Sequence, residues 1–348
     1  MFRQSLLPFV LLLIAATVQA SQAQPRRGAT RAALPIIDMH IHAEPLSEFG
    51  GGLISVCTGD QRLSFPGHDP RNPIATEKMF ECARPIKSSA TDEKVMTETF
   101  AEFDKYNIRH AVAAGPLELV SKWERAANGR LIPALSFADR TPDAGEFRRL
   151  FNSGQFKVFA EVGVQYRGLS PSDPSLEPYW ALAEELDIPV GLHLGEGPPG
   201  GVHIIGPPAY RVKMGSPLLL EDLLVRHPKI RIYVMHYGSP LVDEMIAMLF
   251  SHPQVYVDIS CNNWAMPRKQ FYDHLRRLVE AGFDKRIMFG SDQMVWPKTI
   301  GMSIKTVEDA PFLTAAQKRD ILYNNAARFL RLTKEQIALD HRVLRTSK

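Results

Sequence analysis

Five short apolar runs in this chain each end on a histidine, glutamate or aspartate, and no other feature restricts the fold as strongly. They are Pro35 to His42, Phe156 to Glu161, Ile188 to His193, Ile230 to His236 and Ile287 to Asp292. Three further runs, Ile108 to Ala114, Leu131 to Phe137 and Val255 to Ser260, bring the count to eight. Most are nearly continuous in apolar residues, as expected of parallel strands covered on both faces. The stretches between them read as helices: Thr91 to Tyr106, Leu117 to Asn128, Asp143 to Phe151, Leu176 to Leu186, Pro217 to Arg226, Pro240 to Phe250 and Arg268 to Ala281, with a C-terminal helix from Thr314 to Leu330. Strands alternating with helices imply βαβ units, and eight such units close into a (β/α)8 barrel.

The spacings agree with that count. Glu161 and His193 are separated by one unit's length, His193 and His236 by one unit with a loop, and His236 and Asp292 by two. The interval from His42 to Glu161 fits three units plus an excursion at 43–90, rich in Gly, Pro and short polar residues. A loop of that length is uncommon unless it is functional or disordered. It follows the first strand and is expected to overhang the barrel mouth as a lid. The barrel domain is therefore placed at 34–335, with a C-terminal tail at 336–348.

The N-terminus reads as an export signal. Met1-Phe-Arg3 is a short basic start, Leu6 to Val18 is almost wholly apolar, and Val18-Gln-Ala20 offers small residues for cleavage. The apolar run is short of the about 20 residues that span a bilayer, so no stable membrane insertion is expected once a signal peptide at 1–20 is removed. A polar leader at 21–33 follows. These features imply a periplasmic or secreted protein, a setting that permits a disulfide between Cys57 and Cys82. Cys261 is left as a free thiol. The charged fraction of 23% and net charge of +3 are scattered along the chain, which argues against a nucleic-acid surface. The expected partner is a small-molecule substrate; association with further copies of the chain is left open.

In an α/β barrel the active site lies at the C-terminal ends of the strands, where His40, His42, Glu161, His193, His236 and Asp292 all fall. His40 and His42 are two apart and so share one strand face. Imidazole and carboxylate donors together suit zinc and similar first-row ions. Glu161-Val-Gly163, His193-Leu-Gly195 and His236-Tyr-Gly238 repeat one local pattern. A glycine there permits backbone angles closed to other residues, and the repeat places Glu161 level with the histidines. Lys157 lies four residues earlier on the same strand face, one layer deeper. On the mouth loops, Arg167, Asn262 and Trp264 are candidate substrate contacts, together with Trp296, Glu196 and His203.

The segments Ile37-Asp-Met-His-Ile-His42, Gly191-Leu-His193, Met235-His236 and Phe289-Gly-Ser-Asp292, in this order, resemble the amidohydrolase superfamily, specifically its amidohydrolase-related branch of TIM-barrel metal-dependent hydrolases. The resemblance covers roughly Pro35 to Leu332. It implies that His40, His42 and Asp292 bind the more buried of one or two divalent ions. His193 and His236 would bind a second ion or contact substrate. Asp292 and His236 would carry the catalysis, Asp292 by accepting a proton from the activated water. Many members place a carboxylated lysine on the fourth strand, a role open to Lys157, whereas the similar Glu-X-Gly segment of TatD-like deoxyribonucleases points to Glu161. The implied reaction is hydrolysis of an amide, lactone or ester. Decarboxylation of an aromatic acid and a TatD-like nuclease activity are the alternatives.

Overall fold

The strands follow one another around the sheet in chain order. They are β1 (Ile36–His42), β2 (Ile108–Ala114), β3 (Leu131–Leu135), β4 (Val158–Val162), β5 (Val190–His193), β6 (Ile232–Met235), β7 (Val255–Asp258) and β8 (Ile287–Met288). Each pairs in parallel with the next. The computed structural model describes residues 34–61, 63–65, 67–72, 82–137, 141–204 and 209–342. The expected signal peptide and leader lie outside them. Among the described residues no helix is long and apolar enough to cross a membrane.

The first and last strands meet at the mouth. Met39 N–H donates to the Phe289 carbonyl (2.9 Å) and Asp292 N–H to the His40 carbonyl (2.7 Å). Asp38, fully buried, adds to this seam: its Oδ1 accepts the backbone N–H groups of His40 (3.1 Å) and Ser291 (2.9 Å). Burial pushes the Asp38 carboxyl up to about 7, against the pull of those hydrogen bonds.

Helices cover the outer face at Asp92–Tyr106, Leu117–Ala126, Ala144–Asn152, Glu177–Glu185, Glu221–Arg226, Val242–Ser251 and Arg268–Glu280. Their starts follow capping chemistry: the Thr91 side chain accepts the Lys94 N–H, and Asp143 accepts the Glu146 N–H at 2.8 Å. Lys298–Glu308 is a helix with no counterpart in the sequence expectation. Its Thr299, Gly301, Ile304, Thr306 and Val307 are weak helix formers, and all are buried. Packing, rather than propensity, holds it.

The C-terminal helix expected from Thr314 to Leu330 is present, with a π turn at Asp320–Asn324. Within that turn the Ile321 carbonyl accepts the Phe289 N–H (2.8 Å), which anchors the strand that carries Asp292. A further helix, Lys334–Asp340, spans the boundary placed at 335. Thr333 and Gln336 form a reciprocal capping box at its start. Its buried last residue, Asp340, accepts from His110 Nε2 (2.8 Å) and the Tyr323 hydroxyl (2.7 Å).

Between β1 and the first helix the chain forms a 3-10 turn at Leu46–Phe49, a short antiparallel pair joining Ser55–Val56 to Ile86–Lys87, and a disulfide between Cys57 and Cys82. This segment rests on the loops after β7 and β8. Gly59 N–H donates to the Trp264 carbonyl (2.8 Å), Arg268 N–H to the Gly59 carbonyl (3.2 Å), and Trp296 Nε1–H to the Ile54 carbonyl (3.0 Å).

Candidate metal centre

The six residues singled out from the strand ends converge on one place. His40 and His42 leave β1, Glu161 lies in β4, His193 closes β5, and His236 and Asp292 follow β6 and β8. The Nε2 atoms of His40 and His42 are 3.0 Å apart, and Glu161 Oε2 lies 3.3 Å from each. Asp292 Oδ1 is 2.9 Å from His42 Nε2 and 3.7 Å from His40 Nε2. The other oxygen of Glu161, Oε1, lies 3.6 Å from His193 Nε2 and 3.7 Å from His236 Nε2. One carboxylate thus spans two histidine pairs, the geometry of a bridge.

The donor set fits a divalent cation. In three overlapping groups drawn from these six residues, the ligand-type atoms lie within 4.8 Å of one another. Asp292 Oδ1 is buried and has no hydrogen-bond donor despite its crowded neighbours. Nitrogen lone pairs and carboxylate oxygens turned toward one another repel unless positive charge sits between them. The titration behaviour says the same. Burial alone would lower the pKa of His40, but the charges of Asp292 and Glu161 outweigh it and hold it at about 10. His42 is raised well above its usual value against the same burial by the carboxylates of Asp292 and Glu161 beside it. Burial opposes ionisation of Asp292 and Glu161 too, yet the histidines hold Asp292 at about 2 and Glu161 well below the usual range. Protons on the rings here supply charge that a cation would supply instead.

His193 differs from the other three. Burial pushes its pKa down to about 3. The Tyr166 hydroxyl is 2.7 Å from its Nε2, and the Tyr166 ring stacks on Tyr210 at 28°. Burial, then the charge of Glu161, raises the Tyr166 pKa well above 10, so this phenol remains a proton-bearing donor at neutral pH.

Three site residues sit on backbone that side chains seldom adopt: His236, Cys261 and Asp292 have φ of 57°, 57° and 51°. Cys261 is the centre of a γ-turn closed by Asn262 N–H on the Ser260 carbonyl (2.6 Å). Its thiol lies beside Asp292. The glycines of the repeated Glu/His-X-Gly pattern have two explanations. Gly195 and Gly238 have φ of 108° and 63°, as the sequence argument required. Gly163 has φ of −94°, an angle open to any residue, and it is small because a Cβ would lie 2.8 Å from the Tyr166 ring.

The expected substrate contacts are largely engaged elsewhere. Arg167 is exposed and donates to Thr141 Oγ1 (2.9 Å). Trp264 is buried with its Nε1–H on the Ser291 carbonyl (2.8 Å), and Trp296 is held by Ile54 as described above. Asn262 is half-buried, with its amide 3.4 Å from the His236 carbonyl. Glu196 lies beside the site and accepts from Ser239 Oγ (3.2 Å), whereas His203 is exposed. Lys157 is exposed at the opposite end of β4 from Glu161, lining a cavity of about 480 Å³ with His110, Arg231 and Arg331. Tyr166, Cys261, Asp258 and Ser260 are neighbours of the centre that the strand-end pattern did not flag. Asp258 and Ser260 share strand parity inside a run already read as β7, and that parity was the available signal.

Solved structures share this architecture at low identity, which carries the likeness of fold alone. A probable 2-pyrone-4,6-dicarboxylic acid hydrolase from Acinetobacter baumannii, with citric acid bound, superposes with a TM-score of 0.53 at 16% identity, over 85% of this chain and 99% of that one. An amidohydrolase from Burkholderia multivorans with bound HEPES gives 0.51 at 14%, over 86% and 100%. The 5-carboxyvanillate decarboxylase of Novosphingobium aromaticivorans, complexed with manganese and 4-hydroxy-3-methoxy-5-nitrobenzoic acid, gives 0.50 at 16%, over 67% and 79%. No curated protein matches the chain. The amidohydrolase family model matches residues 37–332, from β1 to beyond the π turn, and this chain is therefore a member of the amidohydrolase family, a metal-dependent enzyme of the hydrolase type on a TIM barrel.

Proposed function

We propose that this chain is an exported hydrolase that opens an amide, lactone or ester bond of a small molecule. The observation that carries the reading is the convergence of four imidazole Nε2 atoms with Glu161 and Asp292 at the C-terminal mouth. His40, His42 and Asp292 would hold the more buried cation, His193 and His236 a second, and Glu161 would bridge them. A divalent ion there, zinc by the preference of mixed imidazole and carboxylate donors, supplies the Lewis acidity that makes water nucleophilic near neutral pH and polarises a carbonyl.

The chain's own groups do the rest. Asp292 takes the proton of the attacking water and returns it to the leaving group. His236 would act on the carbonyl through the ion it would hold with His193, which polarises the carbonyl oxygen. Tyr166 presents a neutral O–H at the rim beside His193 and orients the substrate. Export is supported by the signal-like start at 1–20 and by the Cys57–Cys82 disulfide, a bond that persists in oxidising compartments.

The test is metal analysis of the purified protein followed by a panel of esters, lactones, amides and aromatic acids. Wild type is expected to carry one or two divalent ions per chain and to hydrolyse a panel member. Glu161→Ala is expected to lose metal. Asp292→Asn is expected to lower turnover by about 10²- to 10⁴-fold. A purified protein that binds no divalent ion sinks the reading, and release of carbon dioxide from an aromatic acid replaces hydrolysis with decarboxylation.

A further inference from the structure

Two of the histidines at the centre share a single hydroxyl beneath them. Ser260 Oγ lies 2.9 Å from His40 Nδ1 and 3.1 Å from His236 Nδ1. The same hydroxyl is 2.6 Å from Asp258 Oδ1. All three polar groups are buried: Ser260 and Asp258 expose nothing, and His40 only 1% of its surface.

The direction of each hydrogen bond follows from what each atom is able to do. Asp258 Oδ1 already accepts two backbone N–H groups, from His236 (2.9 Å) and Ser260 (3.0 Å). It is therefore an acceptor toward the third contact, and the Ser260 hydroxyl spends its one proton on it. That leaves the serine oxygen only lone pairs to offer to the rings, so His40 Nδ1 bears the proton between them. His236 Nδ1 also lies 3.1 Å from the Ser260 carbonyl, which has no proton to give, so this nitrogen too bears hydrogen. In a neutral imidazole with Nδ1–H, the free lone pair is on Nε2. Both Nε2 atoms face Glu161.

We infer that Asp258 and Ser260, at the end of β7, are positioning residues that fix the tautomer and ring orientation of His40 and His236 together, so that one buried carboxylate on the seventh strand tunes ligands on the first and sixth. The inference rests on the metal-centre reading above. Asp258 contributes no atom to the centre itself; its ionised oxygen sets the polarity of the chain carboxylate, hydroxyl, imidazole. Partners of this kind raise ligand basicity, and their loss costs about 10- to 100-fold in metal affinity.

Asp38 provides a matched control. It is as buried as Asp258 and also accepts two backbone N–H groups, those of His40 and Ser291, but no ring nitrogen is among its hydrogen-bond partners. Zinc affinity is measured by competition with a chromophoric chelator, and cobalt is loaded to record the ligand-field absorption. Wild type, Ser260→Ala, Asp258→Asn and Asp38→Asn are compared after near-UV circular dichroism has shown each to be folded. The expected result is zinc binding weakened about 10- to 100-fold in Ser260→Ala and Asp258→Asn, with an altered cobalt spectrum, and affinity within threefold of wild type in Asp38→Asn. The inference is overturned if the two β7 variants bind within threefold of wild type with an unchanged spectrum, a result that leaves the metal centre itself standing. It is also overturned if Asp38→Asn loses as much affinity, since general support of the barrel mouth then explains the effect. Wild-type protein that binds neither zinc nor cobalt overturns the inference and the metal-centre reading together. Should Ser260→Ala fail to fold, Asp258→Asn, close in shape to the native residue, decides.

Discussion

Removing the carboxylate of Asp340 tests whether the last helix is part of the barrel. Asp340 is 5% exposed and accepts from the Tyr323 hydroxyl at 2.7 Å and His110 Nε2 at 2.8 Å. Hydrogen bonds to a charged group are worth about 1.5–3 kcal/mol net. Tyr323 is fully buried, so Asp340→Ala leaves its hydroxyl without that acceptor and costs about 2 kcal/mol. His110 keeps 17% of its side chain exposed and recovers part of its loss from water, leaving about 1 kcal/mol. The sum, about 3 kcal/mol, divided by an unfolding entropy of about 2.1 cal/mol/K per residue over roughly 300 ordered residues, lowers Tm by about 5 °C. Burial opposes ionisation of Asp340, but the hydrogen bonds from His110 and Tyr323 win and hold its pKa below the usual carboxylate value. A depressed folded pKa contributes stability that is complete above the unfolded value of about 4 and lost as pH falls through the folded value. The difference between wild type and Asp340→Ala is therefore constant through neutral pH and shrinks only in acid below about pH 4. Scanning calorimetry on both proteins from pH 3 to 8 reads it. A Tm within 1 °C of wild type at pH 7, or a gap that persists unchanged at pH 3, refutes the account.

Other perturbations separate the parts of the site. Lys157→Ala and Arg167→Ala are expected to keep metal content and turnover within twofold of wild type, because Lys157 lies at the far end of β4 and Arg167 is turned outward; loss of metal in Lys157→Ala restores the carboxylated lysine. With Cys57 and Cys82 joined, native protein is expected to show one reactive thiol among its three cysteines. Burial, then Asp292 and Glu161, push the Cys261 thiol well above its usual range, so a disulfide reagent at pH 7 is expected to label it at least about tenfold more slowly than in denaturant, and faster as pH rises; equal rates contradict the placement. Gly195→Ala puts a methyl 2.3 Å from the Ser239 carbonyl at a φ of 108°, and a loss of about 2–4 kcal/mol in urea unfolding, with weakened metal binding, is the expected outcome.

What the sequence revealed and concealed follows from how each feature is encoded. Continuous apolar runs marked all eight strands, and the five that end on His, Glu or Asp marked the six residues that meet at the mouth, because buried parallel strands leave strong compositional traces. The helix at Lys298–Glu308 left a weak one: Ile300, Ile304 and Val307 fall at helical spacing, but Thr299, Gly301, Ser303 and Thr306 between them are weak helix formers chosen to fit against neighbours. The helix at Lys334–Asp340 did leave a trace in Thr333-Lys-Glu-Gln336, a capping box ahead of a short segment. Mouth residues were the least legible. Arg167 and Trp264 have the right chemistry and the right place in the chain, but rotamer and loop path aim them elsewhere. Tyr166 and Cys261 have no motif; loop geometry alone brings them to the centre.

The seam between β1 and β8 has a consequence for how this enzyme comes to life. His40 and Asp292 belong to the two ends of the barrel, joined by backbone hydrogen bonds at the site itself. If His40, His42 and Asp292 hold an ion as proposed, a growing polypeptide that has released its first two histidines still lacks the aspartate that completes their set, and no truncated piece carries the whole of it. Capture of a cation there would consequently be a closing event of folding. Which ion the proposed centre holds would then depend on the metals present where the finished chain folds, rather than on those it met while it was being made.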